Sequence, residues 1–294
     1  MTRSPRAVNR ESAGLGLSLK PAVFARSPPG MPSYEPVTAV LRGLEVLRAV
    51  NHLRSATVRE IHEATGLNQP TVVRMLETLI HAGFVARQPG QPHYLPTGRT
   101  LELSAGYELQ REVGLAATPV MTRLRRGIGW PSDIGVFDGD AMVVVHTSRG
   151  EGGRFLFERR PGFRAPILAT SLGRAYLAHC SEADRRQALE RAARLPEPWN
   201  EPARQPASLE ALLHRIRTEG YAGMDEAYAA RDYGGMASAI GVPVLEGGVA
   251  IAALNLMYLR DAIDQGSVVQ KLLPALQQAA RELAEALSGL KRPG

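Results

Sequence analysis

A chain of 294 residues, 44% hydrophobic, is long enough to bury two ordinary cores, and its formal net charge of +6 suits a polyanionic partner. One cysteine excludes an intramolecular disulfide framework and a cysteine-rich zinc site, points to a reducing cytoplasm, and no apolar run approaches a membrane span. The chain also lacks a P-loop, a zincin helix, a dinucleotide fingerprint and a G-x-S-x-G elbow (Ala169 stands where the last would need glycine before Ser171), so no catalytic residue, cofactor or metal is expected.

Residues 1–33 carry Arg3, Arg6, Arg10, Lys20 and Arg26 against Glu11, with Pro and Ser and no periodicity, which reads as a disordered basic tail. The stretch Leu15 to Leu19 is too short and glycine-broken for a signal peptide. The tail is either an arm adding phosphate affinity or a segment ahead of a true start at Met31. A first helix follows, in which Val37, Val40, Leu41, Leu44, Leu47, Val50 and Leu53 trace an apolar face and Arg42 lies on another, in reach of a DNA backbone.

From Thr57 to Tyr94 the chain reads as a DNA-reading unit. Thr57 is the N-cap of a short helix, Glu60 completes a capping box and Gly66 ends it. Asn68 caps the next helix, and Pro70 stands in its first turn, where a missing N–H is harmless. Val72, Val73, Leu76, Leu79 and Ile80 recur at helical spacing, leaving Gln69, Thr71, Arg74 and Thr78 to face outward. Gln, Asn and Arg offer paired groups to base edges, while Thr and a helix start suit phosphate oxygens. The candidate DNA contacts are therefore Arg42, Thr57, Asn68, Gln69, Pro70, Thr71 and Arg74. Phe84-Val85 and His93-Tyr94-Leu95 bracket a turn at Gln88 to Pro92, as the wing of a winged helix would. The winged domain is placed at 34–97, a linker helix at 98–112 around Leu101, Leu103, Ala105, Tyr107 and Leu109, and a second domain at 113–294.

In that second domain residues 115–126 read as a helix. The turn Asp138-Gly139-Asp140 between Ile134–Phe137 and Met142–His146 signals a hairpin, and Phe155 to Glu158 reads as a third strand. Ser171 to His179 is a helix capped at Thr170 or Ser171, with further helices at 181–194 and 207–219 around a Pro-rich stretch. A second hairpin turns at Glu246-Gly247-Gly248, and a last helix runs from Asp264 to Leu290. Hairpins flanked by helices make the class α+β.

The order and several motifs resemble the IclR-type transcriptional regulators. They are Arg42-Gly43-Leu44, Gly66-Leu67, Thr71 through Leu79, Gly83-Phe84-Val85, Ala169 through Ala178, and Ala239-Ile240-Gly241-Val242-Pro243-Val244. Trp130-Pro131-Ser132-Asp133 and Asp140 through Val144 resemble the branch that activates genes for degrading 3-(3-hydroxyphenyl)propionate and related acids. The resemblance implies a homodimer or dimer of dimers on partly palindromic double-stranded operator DNA, RNA polymerase as the further partner of an activator, and a GAF-like effector domain holding a small aromatic carboxylate. Where many members carry an acidic run, this chain has Asp225-Glu226 followed by Tyr228, Arg231, Asp232 and Tyr233, so no ligand contact is carried over from that stretch.

Within that frame Trp130 walls the ring, Ser132 or Asp133 meets a ring hydroxyl, Thr170 and Ser171 suit the carboxylate at a helix start, and Asn255 and Met257 share a strand face. Each has a structural alternative: a cap for Ser171, plain core for Trp130, a loop carbonyl for Asn255. Glu158-Arg159-Arg160 reads as a solvated strand end, Arg164 is a lesser carboxylate candidate, Cys180 reads as a small buried hydrophobe, and His146 and His179 lack metal-ligand spacing. The expected function is an effector-responsive activator of an aromatic-acid operon. The alternatives are a repressor answering another small organic acid, and an architectural DNA-binding protein indifferent to ligands.

Overall fold

The computed structural model describes residues 34–150, 157 and 159–288. The basic tail at 1–33 and residues 155, 156 and 158 of the predicted third strand lie outside the described residues. Phe157 itself sits in a bend.

The first unit packs three helices, α1 (Thr38–Leu53), α2 (Val58–Thr65) and α3 (Gln69–His81), against a two-stranded antiparallel wing of β1 (Val85–Arg87) and β2 (Tyr94–Pro96). Thr57 and Glu60 form the reciprocal capping box, and Gly66 closes α2 at φ 70°, a left-handed position that glycine adopts without strain. The Asn68 side chain accepts from Thr71 N at 2.9 Å to start α3. Ala56 bridges to Tyr94, tying the entry of α2 to the wing. The core is Val46, Leu47, Ala49, Val50, Ile61, Val72, Met75, Leu76 and Val85.

Two expectations change here. The first helix forms, but Val37, Val40, Leu41 and Leu44 stay exposed, because α1 is longer than the helices it packs on and only its second half reaches them. The 98–112 linker is not one helix. Gly98–Ser104 is a 3₁₀ stretch, the chain turns at 105–107, and α4 (Glu108–Ile128) continues as one long helix through the predicted 115–126. The apolar residues at 101, 103, 105, 107 and 109 recur every second position, a strand period that gives an α-helix no single face to bury. Leu101 and Leu103 accordingly remain exposed.

The second unit is built on one antiparallel sheet of six strands in the order β5-β4-β3-β8-β7-β6. Its members are β3 (Ser132–Phe137), β4 (Ala141–Thr147), β5 (Arg164–Pro166), β6 (Ala222–Gly223), β7 (Ala237–Glu246) and β8 (Val249–Leu259). Both predicted hairpins are present, as β3–β4 and β7–β8. One face is covered by α4 and by the C-terminal helix, packed on Ile134, Val136, Ile240, Val242, Leu254 and Leu256. That C-terminal helix is two, α9 (Gln265–Lys271) and α10 (Leu273–Leu287), because Pro274 in the first turn of α10 has no N–H to continue the ladder of α9.

The other face carries α5 (Ser171–His179), α6 (Glu182–Ala192), α7 (Pro206–Glu219) and α8 (Glu226–Tyr233), with a 3₁₀ stretch at Pro198–Arg204 in the Pro-rich segment. The start of α5 lies directly on the sheet. A Cβ added to Gly241 would stand 2.5 Å from the Ser171 carbonyl oxygen, so only glycine admits this approach. Gly241 pairs with Asn255 on β8, and Asn255 with Asp133 on β3, so one row across the sheet runs beneath the first turn of α5.

Candidate functional site

The outward side of the winged unit follows from the packing of α3. With Val72, Met75 and Leu76 buried, Gln69, Pro70, Arg74 and Thr78 are exposed and Thr71 is half-buried. Gln69 and Arg74 are exposed toward base edges, whereas the Thr57 hydroxyl and Asn68 Oδ1 are committed to capping. Thr57 Oγ1 donates to Glu60 Oε2 at 2.8 Å, and the Thr78 hydroxyl donates back to the Arg74 carbonyl at 2.9 Å. Arg42 is exposed on α1. Two exposed cations that the reading by elements passed over, Arg59 on α2 and Arg87 on the wing, stand on the elements flanking α3. The chemistry is that of a protein surface offered to a groove, with helix dipole, guanidinium and amide groups and no deep cavity.

The second site is buried. Asp133 is fully enclosed, and Arg149 grips it at two points, Nε to Oδ1 at 3.1 Å and Nη2 to Oδ2 at 2.8 Å. The Thr147 hydroxyl, its cross-strand neighbour, donates to Oδ1 at 2.7 Å, and Arg159 Nη1 stands 3.7 Å from Oδ2. Burial alone would raise the Asp133 pKa; Arg149, Arg159 and the Thr147 hydroxyl outweigh it and hold the carboxyl below its ordinary value. Arg149 also donates to the Phe157 carbonyl at 2.7 Å and to Met257 Sδ at 3.2 Å, and Asp133 N donates to Asn255 Oδ1 at 2.9 Å. Around these groups close Phe157, Trp199, Tyr228 and Tyr233, with edge-on ring contacts of 4.9 Å (Phe157–Tyr233) and 5.3 Å (Trp199–Tyr228).

Of the residues named from the sequence, Asp133, Asn255 and Met257 therefore share one cluster, on the face of the sheet that α5 and α8 cover. Thr170 is the N-cap of α5, its hydroxyl accepting from Gly173 N at 3.1 Å and donating to the Pro166 carbonyl at 3.0 Å, so it is occupied by the helix. Ser171 differs: its side-chain oxygen is buried and has no hydrogen-bond partner among the described residues, a costly arrangement for a hydroxyl. Trp130 is the correction. It packs with α4 and α10 on the opposite face, as part of that core, because β3 alternates sides and Ile134 and Val136 set the facing of its neighbours. Ser132 Oγ is taken by Ser148 at 3.0 Å. Arg164 ties the β3–β4 turn through Asp138 and, at 2.5 Å, Asp140, and Arg174 binds Asp225 at 2.5 Å and the Leu168 carbonyl at 2.6 Å.

Sequence reading did not find Arg149 and Trp199 and gave Tyr228 and Tyr233 no ligand role, and Arg159, expected on a solvated strand end, is instead buried beside Asp133 and Tyr233. Period-2 alternation places Arg149 two positions beyond Thr147 on the Asp133 side, a signal that was present. Tyr228 and Tyr233 sit on α8, a helix signalled by Asp225, whose carboxylate accepts from Ala227 N and Tyr228 N. A cavity of 40 Å³ borders the cluster through Trp199 and Arg231, far below the roughly 150 Å³ that admits a benzene ring. The larger groove of 890 Å³, between α7 and the start of α8, is an open surface furrow of mixed charge that includes Arg215, Glu219 and Glu226. Burial pushes the Cys180 thiol up to about 11, which leaves it unreactive. Among the described residues no helix is long and apolar enough to cross a membrane.

Residues 39–89 match the IclR helix-turn-helix domain and residues 107–285 the C-terminal domain of the bacterial transcriptional regulator IclR. The chain is 27% identical over 255 residues to the Pca regulon regulatory protein of Pseudomonas putida, covering 86% of this chain and 85% of that one. It is 31% identical over 189 residues to the regulator BhcR of Paracoccus denitrificans, covering 63% and 66%. Among solved structures, an IclR homolog from Microbacterium hydrocarbonoxydans complexed with 4-hydroxybenzoate aligns with TM-score 0.60 at 22% identity, covering 85% of this chain and 99% of that one. The chain belongs to the IclR family of DNA-binding transcriptional regulators, and it is not an enzyme.

Proposed function

We propose that this regulator answers a small aromatic carboxylate and activates an aromatic-acid catabolic operon. The observation that carries the reading is Ser171: a buried hydroxyl without a hydrogen-bond partner among the described residues, at the start of α5, whose first turn lies on Gly241 in the sheet row of Gly241, Asn255 and Asp133. A ligand oxygen there would satisfy it, on the face of the sheet that also carries Asn255 and Met257. The same fold in the Microbacterium homolog was crystallised with 4-hydroxybenzoate, which supports this ligand class. A ligand that binds one arrangement of this enclosed cluster better than another shifts the population of the whole domain.

The operator would be read by Gln69, Thr71 and Arg74 of two winged domains, with Arg42, Thr57, Asn68 and Pro70 placed along the backbone, on a partly palindromic site. The exposed apolar stripe of Val37, Val40, Leu41 and Leu44 supports pairing of two copies, since a monomer leaves it in water. An activator in this position would also meet RNA polymerase.

The test is a thermal-shift screen of the full chain against hydroxyphenylpropionates, cinnamates, hydroxybenzoates and short aliphatic acids, repeated with Ser171→Ala and Asn255→Ala. An acid at 100 times its Kd adds about 2.7 kcal/mol to the native state and raises Tm. A shift with one aromatic acid, lost in the variants, is the expected result; indifference to every acid would return the protein to the ligand-independent reading.

A further inference from the structure

Three arginines are deeply buried among the described residues, and their surroundings differ. Arg149 is clasped at two points by Asp133, and Arg174 meets Asp225 at 2.5 Å. Arg159, its side chain 4% exposed, has no such partner among the described residues: the shared Asp133 carboxylate lies 3.7 Å away, beyond hydrogen-bond reach, with its oxygens already taken by Arg149 and Thr147. What Arg159 does have is the Tyr233 hydroxyl, to which Nη2 donates, and the Phe163 ring 4.3 Å beneath its plane. Buried guanidinium groups are held by planar, two-oxygen anions, and a phenol is a weak substitute. Burial opposes its charge, and the Tyr233, Tyr228 and Asp133 oxygens outweigh that, so the group remains cationic.

We propose that Arg159 is the anchor for the effector's charge: the ligand carboxylate pairs with its guanidinium at two points, taking the place of the Tyr233 hydroxyl, while the aromatic ring enters the box of Phe157, Trp199, Tyr228 and Tyr233. This deepens the aromatic-acid reading and rests on it. Arg159 makes the regulator selective for charge as well as shape. It takes planar aromatic monocarboxylates and rejects amides of the same outline, because an amide cannot neutralise a buried cation. Asp133 and Arg149 then serve as the fixed floor on which Arg159 stands, their mutual clasp leaving no oxygen for it.

Trp199 gives the measurement its signal, and Trp130→Phe on the opposite face removes the other tryptophan. In that background, fluorescence titrations are made with 4-hydroxybenzoate, 3-(3-hydroxyphenyl)propionate and the two corresponding primary amides. At least one acid is expected to bind on the order of 100-fold tighter than its amide, and Arg159→Gln to abolish that preference by weakening the acid alone. Tyr233→Phe, which removes the competing hydroxyl while keeping the ring, is expected to tighten the acid several-fold. Equal affinity for acid and amide in the parent, or unchanged acid binding in a folded Arg159→Gln protein, overturns the anchor and leaves the aromatic-ligand reading standing. No binding of either acid or either amide overturns both.

Discussion

The DNA-reading face and the buried guanidinium cluster are built on opposite plans. The first draws its groups from a stretch of fewer than forty residues, Thr57 to Tyr94, on short helices whose ends are capped by their own neighbours. Its base-reading candidates, Gln69 and Arg74, stand exposed to water. The second gathers Asp133, Arg149, Arg159, Ser171, Tyr233 and Asn255 from strands, loops and helices spread over more than a hundred residues, and every charge in it is enclosed. A surface site tolerates change in any one member, since water replaces what is lost. An enclosed site does not, because a charge left behind has nothing to turn to.

The largest expected effect tests that asymmetry. Asp133→Ala leaves Arg149 buried without the carboxylate that clasps it and should lower the stability of the C-terminal unit by about 3–5 kcal/mol. Urea unfolding followed by tryptophan fluorescence reads this unit alone, since Trp130 and Trp199 both lie in it. An unchanged midpoint would break the contrast between the two plans. The same carboxyl makes the unit sensitive to acid. Its folded pKa is depressed below the ordinary 3.8, so its stabilisation is complete above that value and is lost as pH falls through the folded value.

A smaller effect is expected at Arg74. Arg74→Ala should weaken operator binding by about 1–3 kcal/mol if the side chain reads a base pair at two points, with no movement of the tryptophan transition. Equal loss on random DNA would assign it to phosphate instead, and would sharpen the comparison by making the surface site less specific than its exposure suggests. The smallest effect is at the cap. Thr57→Ala removes the hydroxyl that accepts from Glu60 N, leaving only the backbone half of the capping box at α2, and should cost the winged unit about 1 kcal/mol. Hydrogen exchange of Val58–Thr65 would show it, again without change in the tryptophan signal.

Legibility followed the same divide. Caps, turns and glycine stops placed α2, α3, both hairpins of the sheet and the start of α5 from local residues alone, because each is closed by contacts three or four positions away. The linker failed where apolar residues at alternate positions were taken for a helix. The C-terminal helix was read as unbroken through Pro274, and α8 was passed over although Asp225 supplies its N-cap. In the buried site, Asn255 and Met257 share a strand face as alternation places them, whereas Trp130, carried over from the resemblance with plain core as its alternative, packs against the core of the opposite face.

The sequence by itself determined the two-part α+β architecture, the outward residues of α3 and the residue types available for an anion, since these depend on period, capping and composition. Only the tertiary structure decided which arginine Asp133 clasps and which it does not. That choice depends on distances between strands and loops far apart in the chain, where 2.8 Å from Arg149 to Asp133 and 3.7 Å from Arg159 to the same oxygen separate a structural clasp from a guanidinium open to a ligand.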